Sequence, residues 1–515
     1  MQLATSDMIG KIDEYSQNQL GISIKKLMEK SGEAVADSVI SRVPFGGSVA
    51  ILAGKGNNGG DGYAAAVKLM DKYSVTVYDV FSSGQKSAEG KYFLNLYLER
   101  GGSIVDFEPT EEILSAIKNS DCIVDAIFGT GFHGDMPEKL RPLAIAIRES
   151  VGAQKIAVDV PLGINADNGT IGEFAISVGA TVELSYIKPG IVSYPARSYV
   201  GDIVYADLGL PKEKINAAFS FKYHAIDDAW IRDNLPKRSQ NSHKGTFGKL
   251  LAIIGSKKYR GAAHLALEAA LRGGVGLVTF VGESELASEL SMKFPEAIYK
   301  TTPAIEDMGE EDIAKIVELS RSHSATLIGS GSDNTSGLLS LTLALLASEG
   351  GPLVIDADAV NALSTIGEDG VRAIKNSKRR VILTPHPLEF SRLTRMEVAL
   401  VQLHRIEAAE KFSKENGCTV VLKGAGTVIG NGEDVYINLT GSSALAKAGS
   451  GDVLAGLIAA LVAQGSTTDE KAAALGVYYH AVAGDSLSKE FSSYGVTPSD
   501  LPKEIARQMA KSESI

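Results

Sequence analysis

The sequence predicts an α/β protein built as two three-layer αβα domains, residues 1–220 and 221–515, each around a doubly wound parallel sheet. Three observations carry this reading. Short apolar runs of strand length alternate with helical segments along most of the chain, the pattern of repeated βαβ units. Most of those runs end in glycine or polar residues, as expected where strand C-termini share one ligand-facing edge. The 515 residues exceed one ordinary domain, and after Gly201–Pro211 the alternation lapses into KEKINAAFSFKY before a new unit begins near Ala225.

Composition bounds the function. With 44% hydrophobic and 22% charged residues the chain can bury cores, and its 54 glycines and 16 prolines punctuate loops. A net charge of −11, with 51 Lys and Arg spread along the sequence, leaves no basic stripe. Nucleic acid and anionic membrane surfaces are therefore not expected partners, whereas small anions remain open to backbone amides. Cys122 and Cys418 lie far apart in apolar runs, which predicts buried thiols in a reducing compartment and excludes a disulfide scaffold or a cysteine zinc site. MQLATSDMIG lacks a basic-then-apolar signal, and the apolar run near Val453 is too short to span a bilayer, so the cytoplasm is the expected location.

In order along the chain, Gly21–Ile40 predicts a helix with Ser23 as N-cap and Ile24, Leu27, Met28, Val35, Val39 and Ile40 on its apolar face. SVAILAG then runs into GKGNNGGDG and the helical YAAAVKLM. Strand, glycine loop and helix in that order bring loop amides toward phosphate, although the spacing is not the usual GxGxxG. Further strands are predicted at Ser74–Val80, Asp121–Gly129, Lys155–Pro161 and Ala180–Tyr186. Asp125 and Asp159 fall near strand C-termini, where ligands bind in open α/β sheets; the competing reading is that each caps a loop or helix. GTGFHGD, Gly129–Asp135, supplies a second lip.

The second half repeats the logic at Gly248–Ser256, LVTFVG, Ser324–Ser332, GPLVIDADAVNAL, RRVILTPHPLEF and CTVVLKGAGTVI. It culminates in TGSSALAKAGSGDVLAGLIAALVAQ. From Val453 to Val462 the large apolar residues keep helical spacing, while Ala455, Gly456, Ala459 and Ala460 permit close packing on the other face. Gly449, Ser450 and Gly451 precede that helix, where free amides and the dipole favour an anion such as a phosphoryl group, and Asp452 stands beside them. Alone, GSGD would equally serve as an ordinary cap.

Several ordered motifs carry a resemblance to known families. GISIKKLMEKSG, GKGNNGGDG, GTGFHGD and DVPLGINADNG resemble the Rossmann-like YjeF N-terminal domain, the epimerase of hydrated nicotinamide nucleotides. HKGTFGKLLAIIGSKKYRGAAHLALEAALRGGVGLVTF, LIGSGSD, VIDADAVNAL, ILTPHPLEF, VVLKGAGTVI and ALAKAGSGDVLAGLIAALVAQG resemble the ribokinase-like, ADP- or ATP-dependent NAD(P)H-hydrate dehydratases. The resemblance covers nearly the whole chain and implies a bifunctional enzyme repairing NADHX and NADPHX, with R and S epimers interconverted in the first half. The second half would dehydrate the S form with ADP, yielding NAD(P)H, AMP and phosphate. It also implies Mg²⁺ with the nucleotide, K⁺ in the first half, and a homo-oligomer.

By the same resemblance, Asp452 matches the catalytic acid or base and Gly449–Gly451 the groups that stabilise the transferring phosphoryl. Lys423, Gly424, Ala425, Gly426 and Thr427 match the adenine-nucleotide segment, and Gly449, Ser450 and Gly451 complete the nucleotide contacts. Ala262, Gly331 and His386 match the hydrate pocket beside Asp452. In the first half, Asn57, Asn58, Gly59, Gly60 and Asp61 match hydrate contacts, as do Gly129, Thr130, Gly131, Phe132, His133, Gly134, Asp135 and Asp159. Asp159 is the candidate for proton transfer. Asn58, Asp125 and the position of Leu162 match the potassium site.

Leu162 stands where the family commonly has Ser, Glu29–Gly32 reads EKSG against the family's ENAG, and Ala448 replaces a frequent glycine. Two ambiguities stay open: Lys447 is either a phosphate contact or a solvated lysine, and Asp356 and Asp358 either organise Mg²⁺ or cap a helix. The alternative function is a ribokinase-like small-molecule kinase with a non-catalytic N-terminal binding domain.

Overall fold

The computed structural model describes residues 1–131 and 136–513. Chain contacts divide it into two compact units, residues 2–223 and residues 224–515 with Met1.

The seven-stranded sheet of the first unit consists of β1 (Ser48–Ala53), β2 (Ser74–Asp79), β3 (Ser103–Asp106), β4 (Cys122–Ala126), β5 (Gln154–Val158), β6 (Ala180–Leu184) and β7 (Asp202–Ala206). They lie in the order β3-β2-β1-β4-β5-β6-β7, every neighbouring pair parallel. Helices cover both faces, so β1 is apolar without alternation and buried from Val49 to Ala53. The chain moves outward from β1 to β3 and then returns to β4 on the other side. The loops after β1 and β4 consequently part at a topological switch point, where a ligand crevice opens.

The predicted helix spans Ile24–Ile40, and the Ser23 hydroxyl accepts the Lys26 N–H at 3.3 Å as its cap. Leu27, Met28, Val35 and Val39 are buried, whereas Ile40 at the helix end is 41% exposed and not on the core face the spacing predicted. This helix packs on Asn57–Leu69 so closely that a Cβ at Gly32 would meet the Ala64 Cβ at 2.5 Å. The helix Ser6–Asn18 and the short edge strand β3 were not foreseen.

In the second unit the strands that carry the site are β8 (Lys249–Ile253), β9 (Leu277–Gly282), β10 (Ile298–Thr301), β11 (Ala325–Ile328), β12 (Leu353–Ile355), β13 (Val381–Leu383), β14 (Thr419–Leu422), β15 (Val428–Gly430) and β16 (Val435–Asn438). Their order is β16-β15-β14-β13-β12-β11-β8-β9-β10. Pairings from β14 to β10 are parallel; those of β14 with β15 and β15 with β16 are antiparallel. KGAGT therefore forms the turn of a hairpin, not a strand-to-helix loop.

The helix Ser450–Gln464 is buried from Val453 to Ala463. Its small residues do what their spacing predicted: a Cβ at Gly456 would come within 2.1 Å of the Ala266 carbonyl oxygen on helix Arg260–Arg272. Only glycine allows that approach. Each large aliphatic side chain buried along this helix contributes about 1.5–3 kcal/mol relative to exposure. Both cysteines are free and buried, and burial pushes each thiol up to about 12. Among the described residues no helix is long and apolar enough to cross a membrane.

Candidate active sites

In the second unit the loops after β12, β13 and β14 bring Asp356, His386 and Lys423 to the same sheet edge. Asp356 is 1% exposed and both its oxygens are taken: Oδ2 accepts the Ser330 hydroxyl at 2.8 Å, and Oδ1 accepts Thr384 at 2.7 Å and the Lys423 ammonium at 3.0 Å. Lys423 also lies 4.0 Å from Glu389. Burial alone would lower the lysine pKa, but Asp356 and Glu389 outweigh it, so the ammonium stays protonated. A Cβ at Gly451 would sit 3.3 Å from the same ammonium. The lysine thus overlooks the first turn of helix Ser450–Gln464, where amides point outward and an anion is favoured.

Gly449 caps that helix with φ 98°, a conformation that suits glycine. His480, from the helix Asp469–Gly495, holds the turn from behind: its Nε2 lies 3.0 Å from the Ser450 carbonyl oxygen and 3.2 Å from its hydroxyl. Burial lowers the His480 pKa to about 4, so the neutral ring donates from Nε2. Asp452 stands half-buried on the open side of the turn. Burial first, then the nearby Asp356, push its pKa up to about 7, with Lys423 opposing. A carboxyl poised there is suited to take a proton near neutrality.

Gly331, after β11, adopts φ 63°, and a Cβ on it would meet the Ala262 Cβ at 2.5 Å, so these two hydrate-pocket candidates are neighbours. Beside them a cleft of about 240 Å³ is lined by Gly255, Lys257, Gly282, Ser332 and Asp333. His386 caps the helix Pro387–Thr394: its Nδ1 accepts the Leu388 and Glu389 N–H groups at 3.1 and 3.2 Å. Its Nε2 lies 3.2 Å from Glu389 Oε1. Burial, then Lys423, lower its pKa, which favours the neutral ring with the proton on Nε2. In the KGAGT turn, Gly424 and Gly426 have positive φ and Thr427 bonds the Gly424 carbonyl at 2.9 Å.

The Lys447 ammonium donates to the carbonyls of Tyr494 and Val496. Asp356 makes no capping bond to its helix, and Asp358 accepts the Asp333 N–H at 2.9 Å.

In the first unit a cavity of about 620 Å³ opens at the switch point. Asn57, Asn58, Asp61, Gly129, Thr130, Gly131 and Asp159 all line it. Gly59 and Gly60 lie in the same buried first turn of the helix, where a Cβ at Gly59 would meet the Gly54 carbonyl oxygen at 1.9 Å and one at Gly60 the Met28 side chain. The expected contacts Phe132, His133, Gly134 and Asp135 lie outside the described residues.

Asp159 accepts the Thr130 N–H at 3.0 Å and contacts the ammonium of Lys188, which is fully buried and 3.0 Å from Glu183 Oε2. Burial lowers the Lys188 pKa less than Asp159 and Glu183 raise it, so the lysine is a fixed cation. Asp159 and Ser185 adopt φ 69° and 62°, and both line the cavity. Left-handed backbone at such residues costs about 1–3 kcal/mol each and concentrates at functional sites.

The potassium candidates also meet. Asn58 donates to the Phe128 carbonyl at 2.8 Å, leaving its Oδ1 buried without a hydrogen-bond partner. Asp125 Oδ1 and Oδ2 accept the Ile127 and Leu162 N–H groups, and burial raises its pKa to about 6. Leu162 thus reaches Asp125 through its backbone, while its side chain packs in the apolar cluster with Ile127, Leu140 and Ile176. In the altered EKSG segment, Lys30 donates to the Leu208 carbonyl at 2.9 Å and Ser31 to Leu27, with the Ser31 hydroxyl beside Asp61.

Sequence reasoning missed Asp13, Lys188, Glu183, Glu389 and His480. For Asp13 a signal existed: Thr5 followed by Met8, Ile9 and Ile12 is a capped amphipathic helix start. Glu389 was also signalled, because it stands at the third position of the helix that His386 caps and its carboxylate accepts the His386 N–H at 2.8 Å. Lys188, with Glu183 beside it, and His480 come from segments far from the motifs they meet.

An ammonium and a carboxyl at a helix N-terminus on one sheet, and a switch-point cavity with loop amides on another, define an α/β enzyme of nucleotide-like substrates. Residues 250–507 match the NAD(P)H-hydrate dehydratase family and residues 24–190 the YjeF-related protein N-terminus. The bifunctional NAD(P)H-hydrate repair enzyme Nnr of Moorella thermoacetica is 34% identical over 97% of this chain and 95% of its own length. That of Thermofilum pendens is 32% identical over 100% and 98%. The ADP/ATP-dependent NAD(P)H-hydrate dehydratase of Bacillus subtilis, co-crystallised with ATP and Mg²⁺, is a structural neighbour with 29% identity and TM-score 0.49, covering 56% of this chain and 98% of its own. The chain belongs to the bifunctional NAD(P)H-hydrate repair enzymes.

Proposed function

We propose that the first unit interconverts R- and S-NAD(P)HX and that the second dehydrates the S epimer at the expense of ADP, or of ATP, with Asp452 as base. The observation that supports it most is the placing of Asp452 beside the Gly449–Gly451 turn and the Lys423 ammonium. Hydroxide is a poor leaving group, so the C6 hydroxyl is first made into a better one. Asp452 takes its proton as the oxygen attacks the terminal phosphoryl, while the helix amides and Lys423 meet the charge that develops. The C6–O bond then breaks with phosphate as leaving group, the ring nitrogen supplies electrons, and loss of the C5 proton restores the double bond. Ala262, Gly331 and His386 shape the hydrate side, and Lys423–Thr427 the nucleotide side.

Among the described residues no three His, Cys, Asp or Glu side chains gather as a metal cage. The site therefore suits a Mg²⁺ held mainly by phosphate oxygens and water, with Asp358 nearby; when bound, the ion neutralises phosphate charge. In the first unit the unpartnered Asn58 Oδ1 and the Asp125 carboxylate fit K⁺, which would supply fixed positive charge beside the hydrate phosphates. A cytoplasmic homo-oligomer is part of the same reading, and light scattering of the purified chain would test the assembly.

The deciding assay gives the intact chain S-NADHX, Mg²⁺ and ADP or ATP in turn. Recovery of the NADH absorbance with one phosphate released per turnover is expected. A stable phosphorylated product without NADH would instead establish a kinase.

A further inference from the structure

The N-terminal cavity is lined by carboxyls that its recognised motifs do not supply, Asp13 and the neighbouring Glu14. Asp13, on the helix Ser6–Asn18, lines the same cavity as Asp61 and Asp159 but enters from a different wall. We propose that Asp13 is a second catalytic carboxyl of this cavity, the acid that protonates the C6 hydroxyl of the hydrated nicotinamide while Asp159 serves as base. The inference rests on the epimerase reading above and names the missing half of its proton chemistry.

Two carboxyls in one cavity divide acid and base work when their surroundings favour different protonation states. Asp159 faces the Lys188 ammonium and accepts the Thr130 N–H. Asp13 has no such support: among the described residues its side chain makes no hydrogen bond or ion pair. Burial, then the charge of Asp159, raise its pKa to about 6, with Lys188 opposing. The charged groups around it are Asp61 on helix Asn57–Leu69, Asp159 after β5 with Lys188 behind it, Glu14 on its own helix, and Lys55 before the glycine turn. Asp61 is itself raised well above the carboxylate range by burial and by Asp159, so it does not supply a countercharge.

The helix is built to hold this position. Thr5 caps it by accepting the Met8 N–H at 3.4 Å, and Ile12, adjacent to Asp13, is 1% exposed and anchored in the core.

The step balances without an outside oxidant. Asp13 gives its proton to the C6 hydroxyl, the C6–O bond breaks, and water leaves as the ring nitrogen forms a double bond to C6. The cation so formed faces the Asp159 carboxylate. Water adds to the opposite face of C6 and its surplus proton passes to Asp159. Exchange with solvent returns both carboxyls to their starting states, so one water has left, one has entered, and only the configuration at C6 has changed.

The test follows R-NADHX without ADP by chromatographic separation of the epimers, in wild type and in Asp13→Asn and Asp13→Glu, from about pH 5 to about pH 8. Wild-type kcat/KM is expected to fall as pH rises above about 6, where Asp13 loses its proton. Asp13→Asn should lose at least about 100-fold in kcat with little change in KM, and Asp13→Glu should recover part of it. ADP-dependent turnover of S-NADHX by the same variants, measured in parallel, reports that the chain is folded. Epimerisation by Asp13→Asn within about threefold of wild type, with the alkaline fall intact, overturns the proposal. Wild type that never exceeds the buffer rate overturns the epimerase reading itself, and the proposal with it.

Discussion

The Lys423 ammonium lies 3.0 Å from Asp356 Oδ1, in a position where the carboxylate is 1% exposed and its other contacts are neutral hydroxyls. One residue comes from the hairpin turn after β14 and the other from the loop after β12, so this pair fastens the KGAGT turn to the centre of the sheet. Removing one partner of a buried pair leaves a charge without compensation. Lys423→Met is therefore expected to destabilise the chain by about 3–5 kcal/mol in urea unfolding. The double variant with Asp356→Asn should recover part of that stability and none of the dehydratase activity. Equal recovery of both would assign Lys423 a purely structural role.

Asp452 provides a pH signature. Its pKa is raised to about 7 chiefly by burial, and a base works only when ionised. Turnover of S-NADHX at saturating nucleotide should accordingly rise with pH through about 7 and level off above it. Asp452→Asn should lower kcat by about 10²–10⁴-fold at every pH while nucleotide affinity, read by calorimetry, stays within a few-fold. An unchanged pH profile in an active Asp452→Asn variant would remove this residue from the chemistry.

How far the sequence revealed these sites follows from how local each signal is. β1 running into GKGNNGGDG, and the small residues of Ala455–Ala460, are written in adjacent positions, and the structure places them as the spacing predicted. The hairpin at KGAGT was missed because a strand ending in glycine reads the same before a helix as before a second strand. Lys188 is 29 residues beyond Asp159 and meets it only because β5 and β6 are neighbours. His480 reaches Ser450 across 30 residues through two packed helices. Such pairings are properties of the sheet order and helix packing, and no periodicity carries them. Leu162 shows the converse: its identity suggests a lost cation ligand, but the structure shows that its link to Asp125 runs through the backbone N–H, which any non-proline residue supplies.

Potassium dependence of epimerisation should therefore reside in Asn58 and not in the Leu162 side chain. Asn58→Ala removes the buried Oδ1 and is expected to abolish stimulation by K⁺ in a titration against Na⁺. Leu162→Ser should instead cost about 2–4 kcal/mol of stability by emptying a core position, with the K⁺ response kept. Loss of the response in Leu162→Ser alone, with Asn58→Ala unaffected, would relocate the site.

His480 makes the second unit sensitive to acid. Its folded pKa, lowered by burial to about 4, lies below the ordinary value of 6.5, so the unfolded chain takes up a proton first as pH falls. The stability associated with the neutral ring is fully present above about pH 6.5 and is lost progressively down to about pH 4. A shift of this size corresponds to about 3 kcal/mol. Urea midpoints for the wild type should decline through this window. His480→Gln keeps a donor for the Ser450 carbonyl but cannot titrate, so it should be less stable at neutral pH and show a shallower decline. A wild-type slope retained in that variant would place the acid sensitivity on other groups, Asp452 and Glu389 being excluded by sign: both are raised, to about 7, and stabilise the fold as pH falls.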